Sequence, residues 1–286
     1  MNICLDCYPC FLRQALESSR IAGADEEVQK KVLHSLMKLL CNLPDEHTPP
    51  QIGKYIHRTI REITGNPDPY KRIKRGHNQQ VLEMEAKLTA LVHDAQLPLV
   101  HALKLAGTGN LIDMGPERKW SRVGEIFDDI TSGDSLYFDY ELFETKLNRA
   151  ETLLYIGDNA GEIVLDKILI RLLIEKRGLA VTYAVRGAPV INDATREDAR
   201  SVGMTNIVNV IDSGDDMPGI DLESCSEEFL DCYCGTDMIL AKGQGNYESL
   251  SERNENIFFL FRAKCSLIAG HVGCKIGDLV LKGTMP

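Results

Sequence analysis

The chain has 286 residues and a formal net charge of −10, from 32 basic and 42 acidic side chains. This acidic balance argues against duplex DNA and anionic membranes as main partners, because both bind positively charged surfaces. It leaves room for a phosphorylated small molecule, since one local cation is enough to bind a phosphate. The longest uncharged run, residues 201–211, is much shorter than the roughly 18 apolar residues that cross a bilayer.

The first ten residues, MNICLDCYPC, have neither the basic stretch nor the apolar core of a signal peptide. We therefore expect a cytoplasmic protein whose nine cysteines are mostly reduced. Three of these cysteines, Cys4, Cys7 and Cys10, recur at three-residue intervals. The sequence does not indicate an oligomeric state.

The first half of the chain has helical periodicity. Apolar residues recur at four-residue spacing after Asp25, a typical N-cap residue, and again after the Thr48-Pro-Pro break. Gly23 and the Asn66-Pro-Asp-Pro turn separate helical stretches. The pattern predicts helices over residues 11–21, 26–43, 52–64, 78–95, 99–106 and 141–147.

The second half alternates short apolar runs with longer connections. The pattern predicts a helix over 162–176, apolar on much of its circumference, as expected where a helix packs on a sheet. This alternation is typical of an α/β protein whose parallel sheet is covered on both faces. We place a helical domain at 1–148 and an α/β metal- and phosphate-binding domain at 149–286. The predicted strands cover residues 152–156, 180–185, 207–211, 238–241 and 266–269.

Polar side chains follow the first two predicted strands. Asp158 and Asn159 come directly after the first strand, and Asp193 follows the second. Ligands of open parallel sheets bind at the carboxyl ends of the strands, and these oxygen donors suit Mg or Mn. Each residue also suits a turn or a helix N-cap, so a purely structural role stays open.

Lys242 ends the fourth predicted strand and precedes a glycine-rich turn with Gly243, Gly245 and Asn246. A lysine beside exposed backbone N–H groups predicts an anion site, although a turn with a solvated lysine is the alternative. The order of residues matches neither the Walker A motif nor a dinucleotide-binding glycine motif.

In the helical half, Asn110 and Asp113 are three residues apart on one predicted helix face. Either they belong to a site or they form a satisfied pair of hydrogen-bonding groups between domains. The histidines lack zinc-site spacing, and no serine-hydrolase elbow is present.

A divalent metal beside an anion-binding lysine is the combination that phosphoryl transfer to water requires. The loop after the first strand does not match the D-x-D-x-[TV] motif of aspartyl-phosphate phosphatases. We therefore predict attack by metal-activated water rather than a covalent intermediate. From the location of Arg186 alone, we also expect that this side chain binds phosphate.

Six stretches carry a family resemblance: CLDCYPCFLRQA at 4–15, DPY at 68–70, GNLID at 109–113, GDNAGE at 157–162, INDAT at 191–195 and KGQGNYE at 242–248. Together they resemble the metal-dependent damage-control phosphatases, the family first catalogued as domain of unknown function eighty-nine. The CxxC motif of Cys7 and Cys10 is similar to that of the family's first subfamily.

The resemblance implies a Rossmann-like three-layer α/β/α fold with a mostly parallel sheet, and an N-terminal all-helical domain. It implies hydrolysis of phosphate monoesters of damaged or unwanted metabolites, such as damaged nucleotides, sugar phosphates or phosphopantetheine derivatives, with Mn, Ni, Co or Mg. By motif position it implies Asp158, Asn159 and Asp193 as metal ligands and Lys242 at the phosphate. It also implies Asn110 and Asp113 in the pocket.

Two other functions stay open at this point. One is an adenosylmethionine-dependent carboxyl methyltransferase, an activity described for a relative of the family. The other is a metal- or redox-responsive binding protein that uses the cysteines. Cys4, Cys7 and Cys10 could be three ligands of an iron–sulfur cluster, which needs a fourth. Alternatively, Cys7 and Cys10 lie near a helix start, where thiol pKa values are lowered and where a redox pair or a structural metal is favoured.

Overall fold

The N-terminal part of the chain is helical. The structure is a computed structural model that describes residues 1–43, 46–108 and 137–284. Helix α2 begins where the Asp25 side chain accepts a hydrogen bond from the Val28 amide, and α3 begins with a capping box of Thr48 and Gln51. The helices before residue 109 are α1 (Cys7–Ile21), α2 (Glu26–Leu40), α3 (Pro49–Thr64), α4 (Lys71–Asp94) and α5 (Pro98–Ala106).

A mostly parallel sheet follows, in the order β1-β7-β6-β5-β2-β3-β4. Strands β6 and β7 pair antiparallel, whereas the other neighbouring strands pair parallel. The strands are β1 (Tyr137–Phe138), β2 (Thr152–Ile156), β3 (Ala180–Val185), β4 (Asn209–Asp212), β5 (Met238–Lys242), β6 (Ile257–Arg262) and β7 (Leu279–Gly283). Their helices are α6 (Tyr140–Leu147), α7 (Glu162–Arg177), α8 (Arg196–Ser201), α9 (Glu227–Gly235), α10 (Gln244–Leu250) and α11 (Ser266–Val272).

Each face of the sheet is buried under helices, because alternate strand residues point to opposite faces. Leu153 and Tyr155 of β2 belong to a cluster with α4, α5, α6 and α7. Leu154 and Ile156 of the same strand belong to a second cluster with α9, α10 and α11. These two clusters confirm the predicted α/β class with its three layers.

Helices α1, α2 and α3 form a third hydrophobic cluster of their own. Helices α4 and α5 contribute instead to the cluster that includes the sheet and α7. The division of the chain at residue 148 stays a prediction. None of the described helices is both long and apolar enough to cross a bilayer.

The prediction for residues 266–269 was wrong, because this run begins α11 rather than a strand. A short apolar run fits a buried helix as well as a buried strand, and periodicity alone does not separate them. The aromatic run of β6 was not predicted, and α4 begins at Lys71 rather than at residue 78. By contrast, β2 and β3 have the predicted bounds.

His57 on α3 provides a test of the packing between α3 and the rest of the molecule. It is 3% exposed, and its Nε2 has no hydrogen-bond partner among the described atoms. Burial, assisted by the charge of Arg61, lowers the pKa of His57 to about 3. The unfolded chain therefore binds one more proton than the folded chain between about pH 6.5 and pH 3, so acid favours unfolding.

The wild-type protein should lose unfolding free energy when the pH falls from 7.5 to 5. We predict that this loss is smaller in His57→Phe by about 2 kcal/mol, because the variant has no histidine to protonate on unfolding. Urea unfolding at the two pH values measures this difference. The exposed His34 supplies the control His34→Gln, which should keep the wild-type pH dependence. Equal pH dependence in wild type and His57→Phe would contradict a buried neutral imidazole.

Candidate functional site

The loops after β2 and β3 are joined at the carboxyl edge of the sheet. The Ala194 amide donates to the Asp158 carbonyl oxygen over 2.7 Å, and the Ala160 amide donates to the Asn192 carbonyl oxygen over 2.8 Å. Asn159 and Asp193 form an isolated antiparallel bridge. The structure therefore brings together the three residues predicted as metal ligands, because β2 and β3 are adjacent parallel strands.

Arg186, at the end of β3, connects the two carboxylates of this site. Its Nε lies 2.7 Å from Asp193 Oδ2, and its Nη2 lies 3.7 Å from Asp158 Oδ1. Nη1 donates to the carbonyl oxygen of Gly219 over 3.0 Å and to Asn246 Oδ1 over 3.2 Å. With 2% of the residue exposed, the geometry gives Arg186 a role in positioning the carboxylates. Its contact with phosphate stays a prediction.

The two carboxylates lie in a strongly unfavourable environment for negative charge. The pKa of Asp158 is raised to about 8, mainly by burial and to a smaller extent by the negative charges of Asp193 and Glu162. Burial also raises the pKa of Asp193, although Arg186 opposes this shift. Asn159 Nδ2 donates to Asp158 Oδ2 and to Glu162 Oε1, each over 2.9 Å. A cation placed here would stabilise the ionised form of both aspartates.

The donor atoms fit a hard divalent cation, because carboxylate and amide oxygens are what Mg²⁺ and Mn²⁺ prefer. In the described ranges, no group of three His, Cys, Asp or Glu side chains is placed to hold a metal. The fit therefore depends on the amide oxygen of Asn159 as a third donor, beside Asp158 and Asp193. Hydrogen bonds through Nδ2 already fix the orientation of this amide.

Lys242 lies behind this site, in a buried ion cluster. Its Nζ donates to Asp166 Oδ1 over 2.8 Å and to Glu162 Oε2 over 3.3 Å. The hydroxyls of Tyr155 and Tyr183 donate to the same Asp166 carboxylate. Burial alone would lower the pKa of Lys242, but Asp166 and Glu162 raise it above its ordinary value. The ammonium is hydrogen-bonded to these two carboxylates. Contact between Lys242 and phosphate stays a prediction.

The glycines after Lys242 permit close approach of backbone to the site. Gly243 has φ +85°, and a Cβ there would lie 2.1 Å from Asp158 Oδ2. A Cβ on Gly245 would lie 2.0 Å from the Pro218 carbonyl oxygen. Asn246 Nδ2 donates to the Lys242 carbonyl oxygen over 2.6 Å. These glycines and Asn246 therefore fix the backbone around Asp158; their predicted binding of phosphate stays a prediction.

A cavity of about 480 Å³ opens in front of Asp158, Asn159 and Asp193. Residues of α1, of the segment before it and of α3 also line this cavity, so the helical part of the chain and the sheet edge share one cavity. Sequence reasoning missed several of the residues that line it, namely Arg13, Ile191, Gln244, Glu248 and Lys264. Lys264 follows β6, the strand that was not predicted.

Ile191 is unusual among these lining residues. Among the residues that the structure describes, it is the only non-glycine residue with a backbone in the left-handed region, at φ 43°. This conformation is strained for a β-branched side chain. It allows the tight turn in which the Asp193 amide donates to the Val190 carbonyl oxygen over 3.0 Å. Backbone strain is thus located next to a predicted metal ligand, where periodicity in the sequence gives no signal.

The N-terminal cysteines also line the cavity. Cys4, Cys7, Cys10 and Cys265 all contribute to its wall, and the Sγ atoms of Cys4 and Cys7 are 3.7 Å apart. Helix α1 begins at Cys7 rather than at residue 11, and Cys7 and Cys10 lie near its start as expected. The expectation of a lowered thiol pKa was wrong for Cys7, because burial raises its pKa to about 11. A helix start lowers a thiol pKa only when desolvation does not outweigh it.

Asn110 and Asp113, which were predicted to line the pocket, lie outside the described residues. Asp68, from the DPY stretch, pairs with the buried Lys74 over 2.9 Å. This stretch therefore supports the start of α4 and is not among the residues that line the cavity.

A family model described as the damage-control phosphatase ARMT1-like domain matches residues 3–280. The chain belongs to this family. A damage-control phosphatase of Pyrococcus horikoshii is 35% identical, over 98% of this chain and 97% of that protein. An uncharacterized protein of Methanocaldococcus jannaschii is also 35% identical, over 96% of this chain and 93% of that protein.

The chain has the same fold as a solved structure of this family over its full length. The crystal structure of a DUF89 family protein from Pyrococcus horikoshii matches with a TM-score of 0.91 and 31% sequence identity, and each chain is covered over 100% of its length. These findings confirm the family resemblance drawn from the six sequence stretches. Membership of the subfamily with the CxxC motif stays a prediction.

The close approach of Gly243 to Asp158 gives a test of the site's architecture. We predict that Gly243→Ala lowers the unfolding free energy by about 2 kcal/mol or more, because the new Cβ meets Asp158 and the positive φ is strained. Urea unfolding measures the change. Gly76→Ala in α4 is the matched control, since its Cβ would meet nothing within 4 Å. The control should be neutral or stabilise by about 0.5–1 kcal/mol, and an unchanged midpoint for Gly243→Ala would contradict the geometry.

The ion cluster around Lys242 gives a second test. Lys242→Met leaves the buried carboxylates of Glu162 and Asp166 without their cation, so we predict a loss of about 3–5 kcal/mol of unfolding free energy. The double variant Lys242→Met with Asp166→Asn should recover part of this loss. Unchanged stability of Lys242→Met, together with a raised KM, would indicate instead that the ammonium serves the substrate.

Proposed function

We propose that this protein is a metal-dependent phosphatase that hydrolyses phosphate monoesters of small metabolites by attack of water. The observation that carries the proposal is the convergence of Asp158, Asn159 and Asp193 on the floor of one cavity. Relatives named damage-control phosphatase cover nearly the whole chain, and their printed names support the same activity here.

The charges buried below the cavity support a divalent cation in particular. Among the described residues, the side chains of this buried network would carry four negative and two positive charges when all are ionised, an excess of two negative charges that contributes to the raised pKa of Asp158. A dication at the floor of the cavity would balance this excess. The six side chains are Asp158, Glu162, Asp166, Arg186, Asp193 and Lys242.

When bound, Mn²⁺, Ni²⁺, Co²⁺ or Mg²⁺ would neutralise phosphate charge and would lower the pKa of a bound water towards neutral pH. Asp158, Asn159 and Asp193 would hold the ion. Arg186 fixes the two carboxylates, while Gly243 allows the backbone to approach them closely. The protein's own contribution is thus a rigid set of oxygen donors beside a space for the ester.

The cavity sets the size of the substrate. Its volume of about 480 Å³ lies within the range of small-molecule sites, about 300–1,000 Å³. We propose damaged nucleotides or sugar phosphates as the class of substrate, and we expect neither nucleic acid nor membrane as a partner. The name damage-control phosphatase of the relatives supports this class.

Metal removal and substitution of the donors test the proposal. We predict that chelation abolishes hydrolysis of an aryl phosphate and that added Mn²⁺ or Ni²⁺ restores it. Asp158→Asn and Asp193→Asn should each lower kcat/KM by about 100-fold or more with the fold intact. Asp231→Asn, at an exposed position, is the control and should retain activity. Full activity after chelation, or in Asp158→Asn, would contradict the proposal.

A further inference from the structure

One buried carboxyl in the cavity wall has no part in the predicted metal site. Glu248 lies on α10, is 7% exposed and lines the same cavity as Asp158 and Asp193. Its Oε1 accepts a hydrogen bond of 2.8 Å from Gln244 Nε2. The donor is a neutral amide rather than a cation, so this contact leaves the carboxyl able to hold a proton.

The orientation of Glu248 is fixed by a chain of hydrogen bonds. Gln244 Oε1 accepts from the backbone amide of Lys264 over 2.8 Å, so the Gln244 amide must present its nitrogen to Glu248. Gly243, at the start of α10, packs against the Asp158 carboxylate. Glu248 is five residues further along, about 7.5 Å of helix rise. Asp158 and Glu248 both line the same cavity, so an ester bound there has access to both carboxyl groups.

The other carboxyl groups near the cavity are already engaged or solvated. Asp158 and Asp193 contact Arg186, and Glu162 contacts Lys242. Asp6 and Glu17, which also line the cavity, are exposed. Within the described part of the chain, Glu248 is therefore the buried cavity carboxyl that remains available for proton transfer.

Burial raises the pKa of Glu248 to about 7, although the Gln244 hydrogen bond and the charges of the N-terminal amine and Lys264 oppose the shift. The nearby Cys7 thiol has a raised pKa as well and stays neutral. A large fraction of Glu248 is thus protonated near neutral pH. An acid with a pKa close to the working pH is the most effective general acid.

We propose that Glu248 is a catalytic residue that donates a proton to the leaving-group oxygen of the phosphate ester. This role rests on the proposed phosphatase function. Water forms the new P–O bond, and the electron pair of the breaking P–O bond passes to the leaving oxygen. That oxygen takes the proton from Glu248 and departs as an alcohol. The proton lost by the attacking water passes to solvent, from which the Glu248 carboxylate is protonated again.

The test compares leaving groups of different basicity. An alkyl phosphate releases a basic alkoxide that needs a proton, whereas 4-nitrophenyl phosphate releases a stable phenolate that does not. We expect Glu248→Gln to lower kcat/KM for the alkyl phosphate about 100-fold or more, and to lower it less than about 3-fold for the nitrophenyl ester. A structural role for Glu248 would affect both esters equally.

Controls separate this role from folding and from the proposed function. Glu252→Gln alters an exposed glutamate in the next turn of the chain and should leave both substrates unaffected. Thermal unfolding checks that Glu248→Gln is folded, and Glu248→Asp should partly restore alkyl phosphate hydrolysis. Equal losses on both esters, or none, would overturn the proton-donor role alone. A wild-type protein inactive on both esters with Mn²⁺, Ni²⁺, Co²⁺ and Mg²⁺ would overturn the phosphatase function and this role together.

Discussion

Charge buried between β2, β3, β5 and α7 is the constraint on which the rest of the structure depends. Ionised side chains removed from water are strongly destabilising unless hydrogen bonds and opposite charges surround them. Arg186 and Lys242 each bridge two carboxylates, and two tyrosine hydroxyls satisfy Asp166. The glycine turn after β5 and the strained turn after β3 bring backbone close enough to complete this network.

The floor of the cavity could be predicted because it follows from local sequence and one topological rule. Both strands are short and apolar, with Asp158 and Asn159 two and three residues after β2 and Asp193 eight residues after β3, so these residues lie in the loops at the strand ends. Parallel pairing of β2 with β3 then places them together. The six motif stretches added the family, which the full-length match confirms.

The direction of the Lys242 side chain and the helical part of the cavity wall could not be predicted in the same way. In β5, Lys242 shares a sheet face with Leu240, the face that α7 covers. Asp166 inside the apolar α7 was the available signal, since a buried carboxylate needs a cation. The approach of the helical part to the sheet edge depends on long-range contacts, such as the ion pairs of Lys54 and Arg58 on α3 with Asp215 and Asp216, and no local pattern encodes them. Lys264 was missed because β6 was missed.

Because α1 and the sheet edge both line the cavity, its walls come from distant parts of the chain. The oxygen donors belong to loops whose backbones are hydrogen-bonded to each other, so substitutions there disturb the whole edge. The lining residues Cys10, Arg13 and Gln14 lie on one helix, α1. Substitutions in α1 can therefore change the shape of the cavity without disturbing the hydrogen-bonded loops at the sheet edge.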